Sequence, residues 1–498
     1  MIRTTRTRRG AVLLLVLVMV PILALGAYAF THWMRAEARG ASVQAKRMQA
    51  RWLADSGIEW TRALLADPAN LLPGGVDLEN NTAQFAGQPV YQENNQQTSG
   101  RFSLVAPLED GTDRAIRFGI VHESAKIPLH RRLDKKDRAM LMGLPNMTED
   151  IADAILDWCD KDDTPRDLGA ESSHYLSLTP PYEPRNGRPL SIGELLLVRG
   201  VTPSLLYGED INLDGILNPN ENDGDASWPP DNADGVLDRG WYPYLTLHSA
   251  SANTNSAGEP KVNLNDQDQD AVQAKLTELF GEELATFFQA YRTQKKKIKA
   301  VTELIDASIE IDAPSPPGGV PGLPGGGGGG GRGGGRGRKI KLESPWKSDS
   351  LEQFLPTALD QLTVVKQSVL KGRIDILRAP APVLQSLPGM TAEAANNIAA
   401  AAMQRSLSEP SAAWLLTDGL VSLQDFQKIE PEITTTGRVF RCESVGFLDS
   451  GGPVVRIEAI FDASGAIPRV IERQDLTPLG NFYTRQMLTG ATRESTTN

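Results

Sequence analysis

The sequence predicts an α+β fold: a long amino-terminal helix packed on a small antiparallel sheet, with a large inserted helical domain that contains helix-hairpin-like repeats. An apolar run that continues as an amphipathic pattern predicts the long helix. Alternating apolar and polar residues from Arg101 to Val105, from Arg114 to Val121 and from Val454 to Phe461 predict strands toward both ends of the chain. Between them, a repeated Leu-Pro-x-Met-Thr pattern indicates pairs of helices joined by tight turns.

The chain has 498 residues, a formal net charge of −11 and 2 cysteines. This length is enough for more than one domain. The acidic balance argues against a nucleic-acid-binding role for the whole molecule, because phosphate binding needs a basic surface. Cys159 and Cys442 are too few for a disulfide-rich scaffold or a cysteine zinc cluster. They can form one disulfide or remain two buried free thiols, and we expect the free thiols.

The amino terminus predicts a single membrane span. Residues 1–9 contain several arginines and no acid, and an apolar run from Ala11 to Phe30 follows Gly10. About 20 apolar residues are enough to cross a bilayer as a helix. The arginines should stay on the cytoplasmic side, which places the chain after His32 across the membrane. A cleaved secretory signal is the alternative, but the apolar run is longer than a usual signal core and no small-x-small site follows it.

The apolar run continues as an amphipathic helix from Trp33 to Leu64. Its apolar residues recur near helical spacing, with basic residues between them. They are Val43, Met48, Trp52, Leu53, Ile58, Trp60, Leu64 and Leu65. Outside the bilayer this apolar face must be covered, so we expect it to pack on the sheet.

The start of the apolar run resembles a class III (prepilin-type) signal of the type IV pilin-like superfamily. The matching residues are Arg8-Arg9-Gly10-Ala11 and the apolar stretch Val12 to Val16. The resemblance implies that a prepilin peptidase cuts between Gly10 and Ala11, and that the mature chain keeps the apolar helix behind a methylated amino terminus. Most members have glutamate as the fifth mature residue, and here that residue is Leu15. This departure and the large size are similar to the type II secretion minor pseudopilin K family, which caps the tip of the pseudopilus.

Further segments are similar to that family, in the same order along the chain. Glu123 to Leu129 is similar to its DESGKINLN stretch, and Ile155 to Arg166 resembles its LLDWLDADDxPR motif. Gly169 to Glu171 and Glu194 to Val201 extend the match. The resemblance implies a non-enzymatic protein of the inner membrane with most of its chain in the periplasm. Its implied partners are the other minor pseudopilins of the tip complex, and its implied role is protein export.

One pattern recurs in the central region. Leu144 to Ile155 parallels Leu387 to Ile398, and Val262 to Phe280 is a more distant candidate copy. The Leu-Pro-Gly-Met form resembles a helix-hairpin-helix turn, whose backbone N–H groups can contact a DNA phosphate. A minor pilin-like protein that binds DNA for uptake is therefore the alternative function. We favour a plain structural turn and expect no nucleic acid, because the surrounding sequence is acidic and Asn146 replaces the glycine in the first copy.

A calcium loop is predicted from Asp210 to Glu221, which satisfies the pattern D-x-N-x-D-G-x-x-x-x-x-E. Gly215 permits the sharp turn that this loop needs. The predicted ligands are Asp210, Asn212, Asp214, Ile216 (through its carbonyl), Asn218 and Glu221. We expect a structural calcium ion as the cofactor, because calcium takes many oxygen ligands and would hold together a self-repelling acidic segment. The flanking sequence is not that of an EF-hand, so we expect an isolated loop.

A second acidic turn follows, with Asp231, Asp234 and Asp238 in a partial repeat of the loop. It could share the first ion, bind another, or be a solvated loop. Three other acids share one helix face by spacing and could touch a metal, although helix-end polarity is the simpler interpretation. They are Asp157, Asp160 and Asp163.

The sequence contains no catalytic motif. Its 5 histidines fall in no HExxH or other metal-ligand spacing, and no G-x-S-x-G elbow, P-loop or kinase set occurs. We therefore expect a structural protein with the following segments: leader 1–10, transmembrane helix 11–32, amino-terminal helix and first strands of the pilin-like domain 33–128, helical insert with the calcium loop 129–312, Gly/Pro-rich linker 313–338, second helical segment 339–432, and carboxy-terminal strands of the pilin-like domain 433–498.

Overall fold

The computed structural model describes residues 9–67, 71, 77–91, 99–107, 116–129, 138–295, 297–312, 339–405 and 411–490. The expected linker 313–338 and most of the expected leader lie outside the described residues. The helices are α1 Arg9–Ala66, α2 Thr82–Phe85, α3 Arg138–Leu141, α4 Glu149–Cys159, α5 Ser172–Tyr175, α6 Pro203–Tyr207, α7 Gln269–Phe280, α8 Glu282–Gln294, α9 Leu351–Gln361, α10 Ala381–Leu384, α11 Ala392–Met403, α12 Trp414–Thr417, α13 Leu423–Ile429 and α14 Arg485–Leu488.

The strands are mostly short outside one larger sheet. They are β1 Gln88–Tyr91, β2 Gly100–Pro107, β3 Ile116–Phe118, β4 Val121–His122, β5 Ile127–Pro128, β6 Leu245–Thr246, β7 Ala250–Ala252, β8 Val262–Asn263, β9 Ser308–Asp312, β10 Lys339–Glu343, β11 Leu362–Thr363, β12 Val369–Lys371, β13 Ile374–Asp375, β14 Ile433–Thr434, β15 Val439–Leu448, β16 Val455–Asp462 and β17 Arg469–Asp475. The sequence prediction of a mixed fold with a long amino-terminal helix and an antiparallel sheet is confirmed.

Helix α1 runs without a break for 58 residues, which corresponds to about 87 Å at the usual rise per residue. Its amino-terminal part is apolar and exposed, as in Leu13 and Leu23. Among the described helices, α1 is long and apolar enough to cross a membrane, so it is compatible with a single-pass anchor.

The carboxy-terminal part of α1 packs on the sheet largely through the expected face, but Met48 and Trp52 lie outside the contact. Val43, Met48 and Trp52 are exposed, whereas Ala50 and Ala54 are fully buried. The reason is close contact between backbones: a side chain at Gly446 in β15 would collide with the carbonyl oxygen of Ala50. Small residues bring helix and sheet together, and Met48 and Trp52, on the opposite side of the helix, stay outside the contact. The predicted burial of Leu53, Ile58 and Leu64 is confirmed.

The main sheet is antiparallel, with strand order β1-β2-β15-β16-β17; β3 also pairs with β2, and β4 with β15. In this sheet Ser444 lies opposite Leu104, and Cys442 lies opposite Ala459. The strand predicted from Val454 to Phe461 is β16, which pairs with β15. Cys159 and Cys442 are both unpaired, as expected.

The region between β5 and β14 is built largely from short helices around a second apolar core. Its recurring unit is a turn with one residue in the left-handed conformation, followed by a capped helix. The turn residues are Asn146 (φ 55°), Gly200 (φ 83°), Gly389 (φ 76°) and Gly419 (φ 69°). Thr202 and Thr391 then accept hydrogen bonds from the N–H groups of the next helix turn, as N-caps do.

Two of these hairpins were predicted, and they contact each other: a side chain at Gly143 would lie 2.7 Å from the carbonyl oxygen of Pro382. The third predicted copy is wrong. Val262 and Asn263 form strand β8, which pairs in parallel with β11, because their alternating pattern fits a strand edge. The hairpins at Gly200 and Gly419 lack the Leu-Pro signal and were not predicted.

Buried charges join the sheet to the helical region. Arg441 on β15 donates from Nε to Glu123 (2.7 Å) and from Nη1 to Glu458 (2.6 Å) and to the Tyr242 hydroxyl (2.9 Å). Lys126 Nζ also donates to Glu123, at 2.5 Å. Burial alone would raise the pKa of Glu123, but Arg441 and Lys126 hold it well below its usual value. Arg441 thus connects β15 with Glu123 and with Glu458 on β16, and Lys126 adds a local ion pair to Glu123.

Strands β9 and β10 form a separate ribbon, in which Asp312 lies opposite Lys339. The two ends of the segment 313–338 therefore lie side by side.

Candidate metal centre

The predicted calcium loop follows helix α6 and ends in a 3-10 turn at Pro219–Glu221. No long helix flanks the loop in this described part of the chain, in line with an isolated loop rather than an EF-hand. All five predicted side-chain ligands are buried. They are Asp210, Asn212, Asp214, Asn218 and Glu221.

Backbone N–H groups organise the first half of the loop. The N–H groups of Asp214 and Gly215 donate to the Asp210 carboxylate at 3.0 and 3.2 Å, and that of Asp214 also donates to Asn212 Oδ1 at 2.8 Å. Gly215 has φ +67°, and a side chain there would collide with Pro107 at the end of β2. The loop needs glycine both for its backbone conformation and for its contact with the sheet.

The second half of the loop contains a buried carboxylate oxygen that has no hydrogen-bond partner among the described residues. Glu221 is 1% exposed, and its Oε2 accepts from the N–H of Asn218 (3.0 Å) and from Asn218 Nδ2 (2.9 Å). Its Oε1 is buried without a hydrogen-bond partner among the described residues. Burial, and then the charges of Asp210 and Asp214, raise the pKa of Glu221 to about 8. A hard cation would supply the missing partner and compensate these acids, so the donor set fits calcium.

The loop is anchored on the main sheet and the carboxy-terminal segment. Arg456 on β16 donates to the backbone carbonyls of Asn212 (2.9 Å) and Leu213 (2.7 Å) and to the Glu443 carboxylate (2.7 Å). The Tyr483 hydroxyl donates to the carbonyl of Asp214 at 3.1 Å.

Ile216, predicted to contribute its carbonyl, places its side chain in the apolar core between α1 and the sheet. The N–H of Phe482 also donates to Asp214 Oδ2, at 3.1 Å. The loop thus connects the helical region with the sheet.

The second acidic turn is more exposed than the predicted calcium loop. Asp231 accepts from the N–H groups of Gly224 (2.9 Å) and Ala233 (2.7 Å). Asp234 accepts from the N–H of Val236 (2.8 Å). Likewise, Asp238 accepts from the N–H of Gly240 at 2.9 Å. Asp210 and Asp214 accept similar backbone bonds. However, Asp234 and Asp238 are exposed, and none of the three acids of this turn has a buried unpartnered oxygen among the described residues, which favours a polar loop over a separate ion site.

The structure brings together a second acidic cluster, which shares only Asp160 with the three acids predicted on one helix face. Carboxylate oxygens of Asp160, Asp162 and Glu171 lie within 4.8 Å of one another. Glu171 is 2% exposed, and neither of its oxygens has a hydrogen-bond partner among the described residues. Burial, and then the charges of Asp157 and Asp160, raise its pKa to about 8. Arg166 pairs with Asp157 (2.6 Å) and Asp160 (2.7 Å) but leaves Glu171 uncompensated.

This acidic cluster had a partial sequence signal. Asp160, Asp162 and Asp163 lie close together in the chain, but Glu171 joins them only through the fold. Asp163 instead accepts from the N–H of Ser172 at 3.2 Å.

Carboxylates also surround the hairpin turns that could have contacted DNA. Asp425 lies beside Gly389, and Glu149 and Asp150 begin the helix after Asn146. Acids at these positions would repel phosphates, so the DNA-binding alternative gains no support from the geometry.

The remaining predicted site concerns processing. Gly10 and Ala11 fall in the first turns of α1.

Comparisons with known proteins agree on one family. The model of the family described as "Type II secretion system (T2SS), protein K" matches residues 138–207. Type II secretion system protein K of Aeromonas hydrophila is 31% identical over 216 residues, which cover 40% of this chain and 61% of that protein. Type II secretion system protein K of Pectobacterium carotovorum is 28% identical over 207 residues, covering 40% of this chain and 60% of that protein.

The chain therefore spans about three fifths of the length of these curated relatives. A solved structure of the GspK-GspI-GspJ complex from enterotoxigenic Escherichia coli includes a similar chain, at 13% identity. The match covers 88% of this chain and 99% of that one, with a TM-score of 0.36, which is too low to establish a common fold.

Proposed function

We propose that this chain, which is similar to type II secretion system protein K over part of its length, is a minor pseudopilin that caps the tip of the type II secretion pseudopilus and supports protein export across the outer membrane. The observation that carries the proposal is the family match, which falls in the helical region. The exposed apolar part of α1 near the amino terminus supports an inner-membrane anchor with the remaining chain in the periplasm.

Two features support a position at the tip. The fifth residue after the proposed cleavage site is Leu15, so the subunit offers no intramembrane carboxylate to a neighbour above it. The helical region, which we propose to be a domain inserted in the pilin-like fold at residues 129–432, is large enough to block addition of a further subunit.

The proposed partners are the other minor pseudopilins and, during maturation, a prepilin peptidase. Met48 and Trp52, one helical turn apart, form an exposed apolar strip on α1 beyond the proposed span. An exposed strip of this kind indicates a contact surface. We propose that the helices of neighbouring subunits cover it in the assembled tip.

The first experiment is co-purification of the full chain with the minor pseudopilins encoded by the same organism. Trp52→Arg should lower recovery of the complex at least tenfold, because it places a charge in the apolar strip. Met403→Arg on α11 is the matched control: Met403 is also exposed but lies away from α1, and its substitution should leave recovery unchanged. Equal recovery of both variants would remove the proposed contact.

The second experiment is amino-terminal sequencing of the protein from membranes. The proposal expects a methylated Ala11 as the first residue. A chain that still begins at Met1, or that begins beyond α1, contradicts it.

We further propose that the loop Asp210–Glu221 binds calcium as a structural ion. The unpartnered Oε1 of Glu221 supports this role, as does the burial of Asp210 and Asp214. Arg239 is an ion-pair partner of Asp210, at 3.5 Å. When bound, the ion would hold the loop in the shape in which Arg456 and Tyr483 contact its backbone. The cluster of Asp160, Asp162 and Glu171 is a second candidate for the same kind of cation.

A further inference from the structure

A polar cavity of about 260 Å³ lies away from the acidic loop, between the β7–β12 pair, the end of α9 and the segment that follows α13. Four cationic side chains line it, against two carboxylates. The cations are Lys261, Lys299, Arg373 and Arg438, and the carboxylates are Asp360 and Glu430. In a chain with a net charge of −11, this local excess of positive charge is unexpected.

Both carboxylates are already engaged by hydrogen-bond donors. Asp360 accepts from the N–H of Ser256 at 2.8 Å and from its hydroxyl at 2.9 Å. Glu430 accepts from the N–H groups of Val301 (2.5 Å) and Thr302 (3.1 Å). The acids therefore stabilise the protein backbone and leave the cations only partly compensated.

The two inner cations have unused donors. Arg373 donates to the carbonyl of Ile433 at 3.4 Å, and Lys261 Nζ donates to the carbonyl of Leu359 at 2.6 Å. Neither has a carboxylate oxygen within 4.0 Å in the described part of the chain. Burial lowers the pKa of Arg373, and burial followed by the charge of Arg373 lowers the pKa of Lys261 to about 8, although Asp360 opposes the shift.

A buried hydroxyl completes the set of donors. Ser251 lines the cavity and is 1% exposed. Its Oγ has no hydrogen-bond partner among the described residues. A buried hydroxyl without a hydrogen-bond partner is costly, and an anion in the cavity would accept a hydrogen bond from it.

We infer that this cavity is a binding site for a carboxylate, carried either by a free small molecule or by the end of a peptide. The planar fork of Arg373 matches the two oxygens of a carboxylate, and Lys261 and Ser251 can donate to the same group. Asp360 and Glu430 would repel a dianion such as phosphate more strongly than a monoanion. The volume is below the roughly 300–1,000 Å³ of pockets for drug-sized ligands, which limits the ligand to about the size of one amino acid. This inference does not depend on the proposed function.

The test uses the full chain in detergent at pH 7, with N-acetylglycine as the probe and its neutral amide as the control. Calorimetry should show saturable binding of the acid and none of the amide. Arg373→Met and Lys261→Met should each weaken binding at least tenfold, whereas Lys275→Met, an exposed lysine on α7, should leave it unchanged. Because Arg373→Met removes a poorly compensated cation, it should melt at the same temperature as the wild type or higher, which separates lost binding from unfolding. Ser251→Ala, expected to weaken binding about threefold, is the second variant should Arg373→Met not fold.

Any of four results would overturn the inference. The acid does not bind, or the amide binds as tightly as the acid. Alternatively, inorganic phosphate binds more tightly than the acid, or both cation variants keep the affinity of the wild type. Acetate and a tripeptide with a free carboxy terminus distinguish the two sources of the carboxylate. Tighter binding of the tripeptide supports a chain end, and equal binding supports a small molecule.

Discussion

Arg456 Nη2 donates to the carbonyl oxygen of Leu213 at 2.7 Å, which joins β16 to a loop 243 residues earlier in the chain. The same guanidinium pairs with Glu443. One buried side chain thus binds the backbone of the acidic loop and compensates the charge of Glu443 in the sheet. Ion binding in the loop and stability of the sheet should therefore be coupled.

Removal of calcium should lower the melting temperature of the full chain. Asp214→Ala should reduce the calcium bound by one ion per chain, because it removes a buried carboxylate of the loop. Equilibrium dialysis with calcium measures the stoichiometry, and a melting curve with and without a chelator measures the stabilisation, about 2.7 kcal/mol when calcium is present at about a hundred times its Kd. Asp234→Ala, in the second acidic turn, is the control and should behave as the wild type.

Glu171→Gln tests the second acidic cluster separately. If that cluster holds an ion, this variant also loses one ion per chain, and the double variant with Asp214→Ala loses two. If Asp214→Ala binds as much calcium as the wild type, the loop is not a site, whatever the result at Glu171.

Replacement of Arg456 by methionine should destabilise the protein by about 3–5 kcal/mol, because Glu443 is left as a buried, uncompensated charge. Calcium affinity should fall in the same variant, since the carbonyls of Asn212 and Leu213 lose their donor. Chemical denaturation and calcium titration measure the two effects.

The control for this variant is Arg473→Met, which removes an exposed ion pair with Asp55 and should cost less than about 1 kcal/mol. A loss of stability without a loss of calcium affinity would show that the loop does not depend on Arg456.

Gly446→Ala should destabilise the contact between α1 and the sheet by about 3 kcal/mol or more, because the added methyl group meets the backbone of Ala50 and Ala54. Gly465→Ala is the matched control, since a methyl group there has open space and the backbone is not in the left-handed region. Limited proteolysis of α1 and thermal melting report the change. Equal stability of the two variants would contradict the close packing.

The pH dependence of stability should differ between the wild type and Lys261→Met. The folded-state pKa of Lys261 is about 8, below its ordinary value of about 10.4, so between these pH values the unfolded chain binds more protons. Stability of the wild type relative to the variant should therefore rise with pH in this window, by at most about 1.4 kcal/mol per pH unit. Melting curves of both proteins from pH 7 to pH 10 test this. A constant difference across the window would contradict the lowered pKa.

Local patterns were predictable from the sequence and distant contacts were not. The spacing from Asp210 to Glu221 located the loop because its geometry is set within a few residues. Arg456, which holds that loop, lies too far along the chain for any spacing rule to connect them. Glu171 was missed for the same reason, since only the fold brings it to Asp160 and Asp162.

The prediction for α1 was wrong at Met48 and Trp52, because large apolar residues were weighted over small ones. Trp52 gives a strong periodic signal, whereas Ala50 and Ala54 give a weak one, yet only alanines allow the backbone of β15 to approach. The hairpin turns show the converse. The Leu-Pro-Gly-Met pattern predicted the turn at Gly389. What the turn requires, however, is a left-handed residue followed by a helix cap, and Gly200 and Thr202 provide both without that pattern.

Because Asp312 pairs with Lys339, the ribbon β9–β10 can tolerate a change in the number of residues between its two strands. Residues added or deleted between these two strands enter and leave at the same point, and the entropy of closing such a stretch grows only slowly with its length. Homologous chains can therefore carry tracts of very different size here, or a reporter peptide can be spliced in, without changing the register of anything on either side.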